Sequence, residues 1–184
     1  EYAWDQGVLF VGSSADETSW HNNSPAVNHH GLYTSAIRHD RSTPEASTTF
    51  LANSNCTNHG ARLDLSVSGL ACASAATGLS AGIAGLVYSA MYDAVESGAL
   101  PERLTTAEIR QIMINAVDDI AVNPDDDQPT LYPSHTGWDV YFGYGRLNAL
   151  KAVTAVRDGD IPPAADLLSP EWFAFVDAGA AARV

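Results

Sequence analysis

The chain has 184 residues, of which 46% are hydrophobic, 17% charged and 9% aromatic, a composition typical of one compact domain or most of one. This composition excludes collagen, coiled coil and wholesale disorder. The sequence contains no run of 18 uncharged apolar residues, so it predicts no membrane span. The 22 acidic and 9 basic residues give a formal charge of -13, which argues against nucleic acid and anionic membrane as partners.

Three short segments predict strands of a parallel sheet. Residues 7–12 are an apolar run bounded by small residues, typical of a strand buried on both faces. Residues 33–39 and 61–67 are the other candidates, and the second alternates Leu63 and Leu65 with polar residues. The N-terminus lacks the features of a signal peptide, so the protein is cytosolic or the chain is a piece whose targeting segment lies elsewhere.

A long helix is predicted from residue 74 to about residue 96. Its residues are apolar or small on every side, so we expect it to be buried all round. Gly78, Gly82 and Gly85 lower its helix propensity, and close approach of neighbouring backbones would compensate for that cost.

Two further helices follow. Residues 105–108 form a capping box that opens a helix from Ile109 to about Ile120. The third helix begins near Arg146. The second helix has Ile109, Ile112, Met113 and Ala116 on one face, and the third carries Leu147, Leu150 and Val153.

The loop at residues 123–127 contains three consecutive aspartates. Calcium is a candidate ligand there, but the spacing fits no EF-hand loop, and a solvated surface loop is the favoured alternative.

The sharpest feature is Ser74, which lies where a loop turns into the long helix. A hydroxyl there gains from the positive end of the helix dipole, which stabilises negative charge on an attacked carbonyl oxygen. The alternative is an ordinary N-cap serine, which the local residues alone favour.

The wider sequence resembles the subtilisin-like serine proteases, specifically the C-terminal half of their catalytic domain. In that family the nucleophile lies in Gly-Thr-Ser-x-Ala-x-Pro-x-x-Ala-Gly. Aligning residues 81–82 with the closing Ala-Gly puts Ser74 at the nucleophile, and Ala76 also matches. Three family residues are replaced, by Cys72, Ala73 and Gly78.

Other blocks resemble the family in the same order, namely residues 7–17, 24–40, 50–65, 104–112 and 143–149. The resemblance implies an α/β fold, a three-layer sandwich with a mostly parallel sheet. Residues 1–157 would be the C-terminal part of the catalytic domain, and residues 158–184 an exit segment toward a following element or domain.

Asp16 stands where the family has an asparagine that donates to the oxyanion. An ionised carboxylate would repel that charge, so Asp16 could donate only if protonated through burial or a neighbouring acid such as Glu17. Some subtilisin-like and sedolisin enzymes also have aspartate here, and the change predicts acidic-pH or weak activity. The edge formed by Ser13, Ser14 and Ala15 is expected to pair with an extended polypeptide substrate.

Cys56 and Cys72 permit one disulfide and cannot by themselves form a structural zinc site. The short connection at residues 66–71 brings Cys72 close in sequence to the loop of Cys56. A disulfide and two free buried thiols both remain open.

The family's catalytic base and orienting acid lie in an N-terminal half, in Asp-Ser/Thr-Gly and His-Gly-Thr motifs that this chain lacks. His59 aligns with a strand-entry turn and is interpreted as structural. The remaining histidines are expected to be surface residues: His21, His29, His30, His39 and His135.

The resemblance therefore implies a serine endopeptidase that acts on polypeptides. Its expected partner is the N-terminal half of the domain, as a separate chain or a missing segment, and its expected location is extracellular or periplasmic. The alternative is a non-catalytic subtilase-like module for binding or assembly, favoured by Asp16 and Ala73. The hypothesis of an unrelated α/β hydrolase has little support, because no Gly-x-Ser-x-Gly elbow occurs in the sequence.

Overall fold

The computed structural model describes residues 2–20, 28–37, 56–60, 62–68, 72–121, 132–165 and 175. In chain order the elements are α1 (Tyr2–Asp5), β1 (Phe10–Ser13), β2 (Gly31–Ile37), β3 (Leu65–Ser68), α2 (Ala73–Glu96), α3 (Thr106–Asn115), β4 (Val117–Asp118), β5 (Arg146–Leu147) and α4 (Ala149–Asp158). Several predictions lie outside the described residues: residues 24–27, the segment 50–55, the loop 123–127, His21, His39, and all of the exit segment after residue 165 except residue 175.

The five strands form one sheet in the order β1-β2-β3-β5-β4, and only the pair β4–β5 is antiparallel. Leu32 and Ala36 of β2 belong to the main core with α2, α3 and α4, whereas Ile37 packs with Phe142 in a second cluster. Because adjacent residues of a strand point to opposite faces, apolar material covers both faces of the sheet. The predicted α/β fold with a mostly parallel sheet is confirmed.

The first two strands differ in their surroundings. All seven residues of β2 are buried, as expected of a central parallel strand. The prediction that the first strand is buried on both faces is wrong, because β1 lies at the edge of the sheet and Phe10 is about half exposed.

Helix α2 has the predicted bounds but not the predicted burial. Its buried stripe lies against the sheet and α4 and includes Ala76, Val87 and Met91. The opposite face is exposed, and a Cβ built at Gly78, Gly82 or Gly85 would meet nothing within 4 Å. The predicted burial all round, with backbones close to these glycines, is therefore wrong for the described chain. By length and composition α2 could cross a membrane, but its buried stripe belongs to the main core.

Helix α3 begins with the predicted capping box, in which the side chain of Thr105 accepts from Glu108 N and Glu108 accepts from Thr105 N. All four residues predicted to lie on one face of this helix are buried. The helix ends at Asn115 rather than near residue 120, because residues 117 and 118 pair with β5.

The last helix starts later than predicted. Arg146 and Leu147 form β5, and the Asn148 side chain caps α4 by accepting from Lys151 N. Leu150 points to solvent with 76% exposure, whereas Val153 packs against the main core.

A buried ion pair lies where β2 and β3 begin. Asp64 accepts from the Arg110 guanidinium at 2.6 Å and from Tyr33 N at 2.8 Å. Burial raises the pKa of Asp64, while the positive charges of Arg110 and Arg62 oppose that rise. A cavity of about 340 Å³ opens beside this pair, at the end of the sheet away from Ser74.

Candidate active site

Ser74 is the second residue of α2, and its side chain is exposed. The preceding Cys72 is the N-cap, with an extended backbone at φ -66° and ψ -173°. The Ser74 hydroxyl therefore lies at the positive end of a 24-residue helix, where developing negative charge is stabilised.

Asp16 lies in the turn that follows β1, which we name the Asp16 turn (residues 14–17). Its Oδ1 accepts a hydrogen bond from Ala73 N at 2.9 Å. The turn after the carboxyl end of β1 and the first residue of α2 thus meet at one point. The structure brings Asp16 next to the first turn of α2, which carries Ser74.

The surroundings of Asp16 differ from those expected for a buried acid. Asp16 is exposed, and the Glu17 carboxylate accepts from Asn58 Nδ2 at 2.6 Å. Since Oδ1 of Asp16 already accepts from Ala73, only Oδ2 could donate to an oxyanion, and only when protonated.

The edge predicted to bind substrate is largely occupied within the chain. Ser14 N donates to Thr34 O, and the Ser14 hydroxyl is bonded to Thr57 Oγ1 at 2.8 Å. Ala15 has φ 75°, which is not extended, and its carbonyl accepts from Asn58 N. The Ser14 N–H and the Ala15 carbonyl are thus engaged within the chain, Ser13 is the terminal residue of β1, and the pairing of residues 13–15 with substrate stays a prediction.

Asn58 is a site residue that sequence reasoning missed. It is fully buried, its Oδ1 accepts from Glu17 N at 2.8 Å, and its backbone N donates to Ala15 O at 2.8 Å. With the Nδ2 bond to Glu17, this residue holds both sides of the Asp16 turn. The only signal in the sequence was a polar residue beside an expected strand-entry turn.

Cys56 and Cys72 form a disulfide, with 4.9 Å between their Cα atoms. Of the two alternatives that the sequence left open, the structure has the bridge. It links the loop of Asn58 to the N-cap of α2, two residues before Ser74.

His59 packs in a group of aromatic rings. Its ring centroid lies 4.9 Å from that of Trp20 and 5.0 Å from that of Tyr141. Burial lowers the pKa of His59, which favours a neutral ring. Within the described ranges no histidine is hydrogen-bonded to the Ser74 hydroxyl, and no group of three or more His, Cys, Asp or Glu residues could hold a metal ion.

Comparison with solved structures shows what fold this arrangement belongs to. The chain superposes on a lanthipeptide protease with a TM-score of 0.58 and 14% identity, over 83% of this chain and 52% of that one. The prenylagaramide maturation protease PagA gives 0.55 and 17%, over 84% and 52%. The patellamide maturation protease PatA gives 0.56 and 18%, over 85% and 54%.

These likenesses show that the chain has a subtilisin-like fold. The chain spans about half the length of the structures it matches. No family model matches the sequence. No curated protein matches it either.

Proposed function

We propose that the chain is the C-terminal part of a subtilisin-like serine endopeptidase domain, with Ser74 as its nucleophile. The observation that carries the proposal is the 2.9 Å hydrogen bond from Ala73 N to Asp16 Oδ1. It fixes the first turn of a long helix beside the turn after β1, at the carboxyl ends of parallel strands, which is where ligands bind in open α/β sheets.

The reaction would be acyl transfer from a polypeptide. Ser74 Oγ attacks the carbonyl carbon of the peptide bond while a base takes its proton. The proton passes to the leaving amine, and water then hydrolyses the ester on Ser74. The N-terminus of α2 favours the developing oxyanion, whereas Asp16 accepts a hydrogen bond from Ala73 N instead of donating one, so the proposed activity is weak.

The base and its orienting acid would come from the N-terminal half of the domain, as a separate chain or a missing segment. One supporting feature is the outer edge of β1, because an edge strand presents unpaired backbone groups that another strand can take. The side chains of Val8 and Phe10 are 55% and 48% exposed beside it. A partner strand would pair upstream of Ser13, and substrate would pair with the outward backbone groups of Ser13 itself.

The open face of α2 supports the same partner. Ser74, Gly78, Gly82 and Gly85 lie on one side of the helix, at spacings of four, four and three residues. Glycines cost helix stability, and the open space above them admits a second helix at close range. A helix packed there has one end beside Ser74, where a base is needed.

The disulfide supports an extracellular or periplasmic location, because such bonds persist in oxidising compartments. A calcium requirement is not part of the proposal, since the loop suggested for it lies outside the described residues.

A second candidate is a non-catalytic module that keeps this fold for binding or assembly. It is favoured by the acceptor role of Asp16 Oδ1 in the place where an oxyanion needs a donor.

A fluorophosphonate probe separates the two candidates when it is applied between pH 4 and 8 to the native polypeptide that carries this chain. The protease proposal expects labelling that Ser74→Ala abolishes and that the matched control Ser97→Ala, at the exposed C-cap of α2, leaves unchanged. No labelling of the folded protein at any pH would support the module. Labelling that survives in Ser74→Ala would refute the assigned nucleophile.

A further inference from the structure

The loop at residues 56–60 is attached to the Asp16 turn by several polar contacts. Asn58 holds Glu17 through both of its side-chain polar atoms and Ala15 through its backbone N–H. Thr57 adds the 2.8 Å bond to the Ser14 hydroxyl. The loop and the turn are therefore held together, and we name them the site loops (residues 14–17 and 56–60).

The first turn of α2 is joined to the site loops at two points. One is the hydrogen bond from Ala73 N to Asp16, and the other is the Cys56–Cys72 disulfide. Together the hydrogen bond and the disulfide hold the first turn of α2, which carries Ser74, against the site loops. Without the disulfide, the hydrogen bond from Ala73 would be the one polar link between these two parts among the described residues.

The N-cap of α2 points to the same role for the bridge. Serine, threonine, asparagine and aspartate stabilise a helix at this position, yet the chain has Cys72 there and no side-chain capping hydrogen bond. Helix α2 therefore starts without the stabilisation of a side-chain cap, and its N-cap residue Cys72 instead forms a covalent link to the site loops.

We infer that the Cys56–Cys72 disulfide is a redox-sensitive clamp that positions Ser74 against the Asp16 turn. Both cysteines are only partly buried, so thiol reagents can reach them. Neither site loop contributes to the main core, so opening the clamp loosens the site and leaves the core folded. The clamp itself stands on geometry, and its effect on catalysis rests on the proposed function.

The chemistry is thiol–disulfide exchange with a dithiol. One thiolate of the reductant attacks a cysteine sulfur, forms a mixed disulfide and expels the other cysteine as a thiolate. The second thiol of the reductant then displaces the remaining cysteine and closes a cyclic disulfide. The protein gains two electrons and two protons, and the dithiol loses both.

Amide hydrogen exchange of the full chain tests the clamp without requiring activity. With dithiothreitol, or in the double variant Cys56→Ala/Cys72→Ala, which adds no N-cap hydroxyl, exchange at Ala73 and Glu17 should become roughly ten- to a hundredfold faster. Amides in the middle of α2 and β2 should keep their rates. Dithiothreitol added to the double variant is the matched control and should change nothing.

A redox titration distinguishes positioning from general stability. The fraction of reduced cysteines and the exchange rate at Ala73 should share one midpoint potential, and reoxidation should restore protection. In the native polypeptide, fluorophosphonate labelling of Ser74 should fall with the same midpoint.

Unchanged exchange at Ala73 after full reduction would overturn the clamp, and so would loss of protection throughout the core. Loss of labelling alone would not rescue it. Conversely, a clamp that opens as expected in a protein that is never labelled would refute the protease and leave the clamp standing.

Discussion

The ion pair between Arg110 and Asp64 gives the sharpest test of how the sheet is held at the end away from Ser74. Arg110→Met keeps most of the side-chain volume but removes the charge that faces a carboxylate only 6% exposed. At an effective dielectric constant near 20 and a charge separation of about 4 Å, the lost attraction is about 4 kcal/mol. Breaking a buried pair from one side typically costs about 3–5 kcal/mol.

The loss should depend on pH. Burial raises the pKa of Asp64 and Arg110 opposes it, so removing Arg110 moves that pKa further up, with Arg62 and the Tyr33 N–H left in opposition. A carboxyl with a higher pKa in the folded chain than in the unfolded chain favours folding at low pH, and that contribution is lost as pH rises through the folded pKa. Arg110→Met should therefore be more harmful at pH 7 than at pH 4.

Urea unfolding of the chain at the two pH values measures this difference. We expect a loss of about 3–5 kcal/mol at pH 7 and a clearly smaller loss at pH 4. Arg103→Met is the control, because Arg103 is exposed over the Tyr92 ring at 4.9 Å and should cost less than about 1 kcal/mol. Equal losses at both pH values, or no loss at pH 7, would refute the reasoning.

Three further substitutions test the site and its surroundings. Asp16→Asn keeps an oxygen to accept from Ala73 N and supplies Nδ2 as a donor, so labelling near pH 7 should rise roughly tenfold or more; a flat or falling rate would count against the oxyanion role. Gly82→Ala should stabilise the chain by roughly 0.5–1 kcal/mol in thermal unfolding, because its Cβ meets open space, yet weaken association with the completing half; unchanged association would argue against docking on α2. Gly143→Ala should cost about 2–4 kcal/mol, since φ is 65° and the added Cβ would clash with the Asp64 carbonyl; a near-neutral change in urea unfolding would contradict this.

Local signals in the sequence predicted the start of α2 and the cap of α3, but not the starts of the strands or of α4. The capping box at Thr105 and Glu108 places the start of α3 because both partners lie within one turn. The end of α3 was missed because it is decided by residues 117 and 118 pairing with β5, some 30 residues further on. Leu147 was likewise assigned to a helix although its place in β5 depends on a distant partner.

The candidate site likewise contains residues that local sequence signals predict and a residue that depends on distant contacts. The sequence predicts that Asp16 and Ser74 lie near each other because each follows a strand whose carboxyl end lies at the same edge of the sheet, and the resemblance supplies their proposed roles. Asn58 was missed because its importance comes from hydrogen bonds to residues 41 and 43 positions away. The burial of α2 was overestimated because an apolar helix surface predicts that the surface is covered, but not whether this chain or another molecule covers it.

In the described part of the chain no strand lies beyond β1 and the glycine side of α2 is exposed, which has a consequence for the chain in solution. Both surfaces favour attachment of any other strand or apolar face, including those of an identical molecule, whereas the formal charge of -13 makes identical molecules repel. Added salt shortens the range of that repulsion to about 3 Å at 1 M. Dilute, low-salt solutions should therefore keep the molecules apart, and concentrated brine should bring them together.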